Sequence, residues 1–414
     1  MIINKRLNNG AELIMEKIPF ARAVAIGIWV KTGSIDEDEK NNGISHYIEH
    51  MLFKGTEKRS AKDIAYEIDK IGGQINAFTG KETTCYYVKV LDSHVKEGAD
   101  VLLDIVFNSI FDDEEMEKEK TVIYEEINMY EDSPQDTVHD LLSQIILDGH
   151  PLGQGIIGTH DTISNFTRQS VMDYFKKHYI TNNMVISVAG NIDEGEIIDL
   201  FQKGIVDKAS QFAETYQEIP EYKADRKMKK KDIEQAHLCI GTKGVRLDHD
   251  EYYPRAILSN IMGGSMSSRM FQKIREEKGL AYSVYTFTTS YVQDGLFGVY
   301  AGVNPNQLME TARLMVEELE LLGKDGITIE ELNTAKEQLK GNYILNLDSV
   351  SGRMASIGKS QLLLGKIYTP DEMIEKINKV SMEDMNKIMK SMTDIDQYSV
   401  AVVGKNEVDL SQII

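Results

Sequence analysis

The segment His46-Tyr-Ile-Glu-His50 has the residue types and the spacing of a hydrolytic metal site. On an α-helix, His46 and His50 lie one turn apart on the same face, so both imidazoles can bind one ion. Glu49 lies beside them and can take a proton from a water molecule bound to that ion. With 9 His in 414 residues, chance gives roughly 0.02 such motifs per chain. A metallopeptidase is therefore the leading hypothesis.

The residues around this motif resemble a known family. His46-Tyr-Ile-Glu-His-Met-Leu-Phe-Lys-Gly-Thr56, followed by Arg59, resembles the pitrilysin/insulinase zinc peptidases, in particular the mitochondrial processing peptidase and its bacterial homologues. Glu directly before the second His is the order of the inverted zinc-peptidase motif. The resemblance extends over nearly the whole chain. It implies zinc as cofactor, bound by His46, His50 and Glu126, which lies 76 residues beyond His50.

The surroundings of Glu126 are consistent with that role. The sequence from Glu114 to Tyr130 predicts a helix whose apolar stripe contains two carboxylates, and buried carboxylates need partners such as a cation. On the local pattern alone, a solvated surface position remains open for Glu126. The resemblance matches Glu119, seven residues earlier, to a family carboxylate that supports the metal site. The stripe consists of Glu119, Val122, Ile123, Glu126, Ile127 and Tyr130.

The resemblance also implies the reaction and a substrate strand. The reaction is hydrolysis of amide bonds in unfolded or presequence-like peptides inside an enclosed chamber, with Glu49 as general base on zinc-bound water. Asn76 and Ala77 match a strand to whose free edge an extended peptide adds beside the zinc. By pattern alone, an ordinary hairpin strand is the favoured interpretation of the segment 72–79.

Two further residues are assigned through the resemblance. Arg275 and Tyr282, seven residues apart, match the family's Arg and Tyr that reach the substrate near the scissile bond. A guanidinium and a phenol can donate hydrogen bonds to a carbonyl oxygen as it gains charge. Taken alone, both side chains are as expected for ordinary surface residues.

A degenerate repeat divides the chain into two related halves. Aligning 112–116 with 328–332 places Ala335 and Asn342 opposite Glu119 and Glu126, so the metal belongs to the first half. We predict a zinc-binding catalytic lobe at 1–210, a linker at 211–230 and a metal-free lobe at 231–414 that completes the substrate site. The fold class is α+β: each lobe is a mostly antiparallel sheet packed with helices, and the lobes enclose a cavity.

Composition narrows the partners. The formal charge of −20 argues against nucleic acid as a binding partner. It is compatible with binding of basic peptides and equally with a surface charge that only keeps the protein soluble. No run of 18 uncharged apolar residues occurs, and residues 1–8 contain no signal-peptide core, so we expect no membrane association. Cys85 and Cys239, one in each half, favour free thiols and a cytoplasmic location.

One alternative function comes from another class. Some relatives are non-catalytic subunits that bind peptides or brace a larger assembly, and these typically lose parts of the zinc motif. Relatives with two different chains often split the zinc motif and the Arg/Tyr pair between them. This chain contains both, so we expect an active homodimer.

Overall fold

The structure is a computed structural model that describes residues 2–205 and 217–414. The strands in these residues are β1 Ile2–Arg6, β2 Glu12–Lys17, β3 Ala23–Val30, β4 Gln74–Thr79, β5 Thr84–Leu91, β6 Met184–Gly190, β7 Arg226–Lys230, β8 Ala236–Lys243, β9 Ala281–Ser290, β10 Gly295–Val303 and β11 Ser399–Gly404.

The α-helices of the described residues are α1 Ile44–Met51, α2 Ala61–Lys70, α3 Val95–Asn108, α4 Asp113–Glu131, α5 Pro134–Ile146, α6 His160–Ser164, α7 Arg168–His178, α8 Glu194–Gly204, α9 Tyr252–Gly263, α10 Leu308–Asp325, α11 Ile329–Asn346, α12 Val350–Leu364, α13 Pro370–Lys379 and α14 Met382–Met392. A π-helical segment, Phe271–Glu277, precedes β9.

The described residues form two compact units. The first contains 2–128, 155–205 and 344–368, and the second contains 129–154, 217–343 and 369–414. Each unit therefore includes one segment from the other half of the chain. Of the predicted linker 211–230, residues 211–216 lie outside the described chain, and its last five residues form β7.

The sheet of the first unit has the strand order β1-β2-β6-β3-β5-β4. Strand β3 lies inside this sheet and is buried on both faces. Val24, Ile26 and Ile28 point into the main core beneath the helices, whereas Ala25 and Trp29 point into a second apolar layer. This alternation follows from the two-residue period of a strand. Only β2 and β6 pair in parallel in this sheet.

The second sheet repeats this topology. Its order is β7-β11-β8-β10-β9, which is the order of the first sheet from β2 onward when each strand is replaced by its counterpart. The parallel pair also recurs, as β7 and β11. The α+β class and the internal duplication predicted from the sequence are therefore confirmed, with mostly antiparallel sheets in both units.

Each unit contains one helix that comes from the other half of the sequence. Helix α12 packs against β3 and β6 of the first sheet, and α5 packs against β8 and β11 of the second. These helices are counterparts in the repeat, since they begin 216 residues apart. Because each helix covers the otherwise open face of a sheet, each unit depends on a segment from the other half to bury that face.

The two cysteines are buried and free, as the sequence predicted. No helix of the described residues is both long and apolar enough to cross a membrane.

The contact of α12 with β3 and β6 is close because of a glycine. A Cβ atom at Gly358 would lie 2.2 Å from Trp29 Nε1 and 2.7 Å from Ser187 Oγ. Trp29 Nε1 donates a 2.8 Å hydrogen bond to that hydroxyl, and the indole is 1% exposed. A side chain at position 358 would therefore separate the helix from the sheet.

We expect Gly358→Ala to lower the melting temperature by about 3–10 °C, the scale of an overpacked core site costing about 1–3 kcal/mol. Gly341→Ala is the matched control, because it is also a helical glycine but nothing lies within 4 Å of its added Cβ. That control gains helix propensity and should melt at the same temperature or higher. Equal melting of both variants in a thermal scan would contradict the packing account.

Candidate metal centre

Helix α1 points its apolar residues into the first core, and Glu49 and His50 lie on its more exposed side. Ile44, Tyr47, Ile48 and Met51 are buried in that core. Glu49 and His50 are partly exposed, which is the arrangement that 3.6 residues per turn gives. The packing of α1 thus determines which way the motif faces.

Helix α4 positions the carboxylates. Ile123 and Ile127 pack into the first core, and Glu119 and Glu126 lie two turns apart on the same helix. The predicted helix is confirmed. The predicted stripe is wrong at Val122, whose side chain is 50% exposed, because the buried face follows the neighbouring position, Ile123.

His46, His50 and Glu126 converge into one cluster. One potential ligand atom from each lies within 4.8 Å of the others, and no other such His, Cys, Asp or Glu cluster occurs in the described part of the chain. His46 Nε2 is 3.6 Å from Glu126 Oε1, and His50 Nε2 is 3.5 Å from Glu126 Oε2. Two nitrogens from α1 and a carboxylate from α4 can together hold a metal ion.

Glu119 contacts His50 on the ring nitrogen that faces away from Glu126. Its Oε1 is 2.7 Å from His50 Nδ1, and its Oε2 is 2.5 Å from Lys54 Nζ. Glu119 is 3% exposed, and the ammonium compensates the charge of its buried carboxylate. A proton held on His50 Nδ1 would leave Nε2 free to bind a metal, and the contact with Glu119 can hold the proton there.

The two histidines differ in pKa. Burial alone would lower the pKa of His50, but the hydrogen bond to Glu119 and the neighbouring Glu126 carboxylate outweigh it and raise the pKa to about 9. Burial, together with the neighbouring His50, lowers the pKa of His46. Without a metal at neutral pH, His50 is therefore protonated and His46 is neutral.

Glu49 is held by a strand residue. Thr79 Oγ1 donates a 2.5 Å hydrogen bond to Glu49 Oε2. Burial raises the pKa of Glu49, and the hydrogen bond from Thr79 opposes that rise. A carboxylate with a raised pKa beside a metal cluster is a suitable proton acceptor and donor.

Asn76 and Ala77 lie on β4, which is the edge strand of the first sheet. The Asn76 side chain is exposed, and its Oδ1 accepts a 2.8 Å hydrogen bond from Ala77 N. Within the described residues β4 pairs only with β5, so its other edge can accept an added strand. α1 and β4 pack together, which places this edge strand beside the helix of the metal cluster.

Arg275 and Tyr282 lie in the second unit and contact each other. The Arg275 guanidinium is 5.0 Å from the centre of the Tyr282 ring and 4.7 Å from that of Phe271. Tyr282 is 80% exposed, so its hydroxyl is available to a ligand. The structure brings the pair together as a cation–π contact.

Lys54 and Thr79 are contacts that the sequence analysis did not assign. Lys54 belongs to the segment after the metal motif, and Thr79 ends the strand segment 74–79. The one feature of the sequence that could have drawn attention to Lys54 and Thr79 is that they lie in these two segments. Their partners are 65 and 30 residues away in the chain, and spacing alone does not identify such contacts.

Comparisons of the sequence with known proteins agree with this geometry. Residues 12–160 match the model of the insulinase family, peptidase family M16, and residues 165–339 match that of the peptidase M16 inactive domain. The chain is 46% identical to the uncharacterized zinc protease YmxG of Bacillus subtilis over 98% of both chains. It is 35% identical to an uncharacterized zinc protease of Streptomyces coelicolor, over 96% of this chain and 88% of that one.

Solved structures share the fold. A protease from Helicobacter pylori superposes with a TM-score of 0.91 at 21% identity, over 98% of this chain and 99% of that one. A peptidase M16 inactive domain from Pseudomonas fluorescens also gives 0.91 at 18% identity, over 99% of both chains. His46, His50 and Glu126 lie within the residues that match the insulinase model. This chain belongs to the peptidase M16 (insulinase) family.

Proposed function

We propose that this protein is a zinc-dependent endopeptidase that cleaves unfolded peptide segments. The observation that carries the proposal is the convergence of His46, His50 and Glu126, with Glu49 on the same helix as the two histidines. Zinc is favoured by this donor set and by the name zinc protease that relatives in Bacillus and Streptomyces carry.

The donor atoms fit a zinc ion. The 3.5 and 3.6 Å separations between the Glu126 oxygens and the imidazole nitrogens are too long for hydrogen bonds. Two ligands that each lie about 2.1 Å from a tetrahedral ion are about 3.4 Å apart, close to the observed separations. His46, His50 and Glu126 would then hold the ion, and a fourth position would stay open for water or substrate.

The chain's own groups have defined tasks in this proposal. A bound zinc ion would polarise the scissile carbonyl and acidify a water molecule. Glu49 takes the proton of the attacking water and returns it to the leaving amine, and Thr79 orients Glu49 for both steps. The free edge of β4 binds the peptide backbone by strand addition, where Asn76 and Ala77 meet it. Arg275 and Tyr282 donate hydrogen bonds to the substrate.

The alternative is a non-catalytic subunit that binds peptides. A solved structure with the same fold, from Pseudomonas fluorescens, is named a peptidase M16 inactive domain. Retention of the complete donor set and of Glu49 favours the enzyme. Homodimerisation remains part of the proposal and rests on the presence of the Arg275–Tyr282 pair in the same chain as the metal cluster.

Zinc binding should release at least about one proton at pH 7.5. The His50 pKa of about 9 means that the metal displaces a proton there, whereas His46 is already neutral. Affinity should accordingly rise with pH up to about 9 and then level off. Calorimetric titration in buffers of different ionisation enthalpy measures the proton count. A count of zero at pH 7.5 would contradict the assigned charge of His50.

Glu126→Gln should abolish tight zinc binding, because an amide cannot supply the carboxylate charge that balances the ion. Glu125→Gln is the matched control, since that neighbour is exposed and outside the cluster. Zinc content after dialysis against a weak chelator distinguishes them. A full equivalent of retained zinc in Glu126→Gln would mean that another residue is the third ligand.

Glu49→Gln should retain zinc but lose at least about 100-fold in peptide cleavage, the usual scale for a lost general base. The assay uses an unstructured basic peptide pool with zinc-loaded proteins, and Glu57→Gln serves as the exposed control. Unchanged turnover would refute the role of Glu49. Cleavage by neither the parent nor the variant, at full zinc occupancy, would favour the binding subunit.

A further inference from the structure

The helix that carries the metal motif lacks a cap of its own. Its N-cap residue is Gly43, which has no side chain, and no acidic residue lies in its first turn. The first backbone N–H groups of a helix have no partner within the helix, so they need acceptors from elsewhere. Here the acceptor comes from a residue outside α1.

Glu37 supplies that acceptor. Its Oε2 accepts hydrogen bonds from Gly43 N at 2.8 Å and from Asn42 Nδ2 at 3.0 Å, and its Oε1 accepts one from Ser45 N at 2.9 Å. Both carboxylate oxygens therefore bind the start of α1. The positive end of the helix dipole at this position also favours the negative charge.

Glu37 is an unusual residue for such a role because it is buried. Its side chain is 1% exposed. Burial raises its pKa to about 7, although the hydrogen bonds from Gly43 and Ser45 oppose the rise. A buried carboxylate is costly unless its hydrogen bonds are satisfied, and here they are satisfied by the start of the metal helix.

The two histidine ligands are oriented in different ways. His50 has the hydrogen bond from its Nδ1 to Glu119. The Nδ1 of His46 is buried and has no hydrogen-bond partner in the described part of the chain. Metal-binding histidines usually have such a partner, which fixes the ring. The position of His46 therefore depends on the backbone of α1, whose N-cap is only three residues earlier, and on the packing of its ring against His50.

We propose that Glu37 is a positioning residue for the metal centre, which holds the first turn of α1 so that His46 Nε2 faces Glu126. Glu119 orients His50 by a hydrogen bond to its ring. Glu37 orients His46 indirectly, by hydrogen bonds to the backbone at the start of α1. The inference deepens the proposed function and rests on it. Asn42 extends the same anchor, since its Nδ2 also donates to Gly155 O at 2.8 Å.

The test is the zinc affinity of Glu37→Gln, measured by competition with a chromogenic chelator. An amide keeps one acceptor oxygen but cannot accept from both Gly43 N and Ser45 N. We expect zinc affinity to fall by about 10-fold or more, the usual effect of losing a residue that orients a ligand. Asp36→Asn is the matched control, because Asp36 is the adjacent carboxylate and accepts from Gly33 N instead.

The readout separates positioning from a merely structural role. A structural role alone would lower the melting temperature of the metal-free protein and leave zinc affinity unchanged, as in the Asp36→Asn control, and that result would overturn the proposal. If Glu37→Gln does not fold, Glu37→Asp decides in the same way, because it keeps the charge but withdraws the oxygens from the helix. We expect its zinc affinity to fall by at least about threefold.

The parent protein and Glu126→Gln are measured in parallel. A parent that binds no zinc, or a Glu126→Gln variant that binds as tightly as the parent, would refute the proposed metal centre itself. Tight binding by the parent, loss in Glu126→Gln and parental affinity in Glu37→Gln would refute only the role of Glu37.

Discussion

The concentration of carboxylates around two histidines is the constraint on which the site depends. Glu49, Glu119 and Glu126 all lie near His46 and His50, and among the residues that the structure describes only Glu119 has a lysine within ion-pair distance. Carboxylates this close repel one another unless a cation lies between them. The positive charge on His50 partly meets this need without a metal. A divalent ion held by His46, His50 and Glu126 would meet it more fully and would displace the proton of His50.

The fold provides rigid support for that charge cluster. Helix α1 is fixed by its core residues, by Glu37 at its start and by the packing of β4 beside it. Helix α4 is fixed through Ile123 and Ile127. In the second half, α11 follows the same repeat but carries Ala335 and Asn342 in place of the carboxylates. Duplication thus preserved the architecture while the metal donors occur in one copy only, as far as the described residues show.

Parts of this structure could be predicted from the sequence. The spacing of His46, Glu49 and His50 indicates one helical face, and the alignment of 112–116 with 328–332 indicated the duplication. Glu126 required the resemblance, because a local pattern does not distinguish a ligand from a surface glutamate. The exchange of α5 and α12 could not be predicted, since periodicity identifies an apolar helix face but not the sheet that it covers. Contacts such as Thr79 with Glu49 depend on the tertiary fold.

The central claim is that a metal ion binds between α1 and α4, where Glu49 can act on water. The most direct test is anomalous diffraction at the zinc edge from crystals of the zinc-loaded protein. The account predicts one strong peak within about 2.0–2.2 Å of His46 Nε2, His50 Nε2 and a Glu126 oxygen. A peak elsewhere, or none at these residues despite one equivalent of zinc in the crystals, would contradict it.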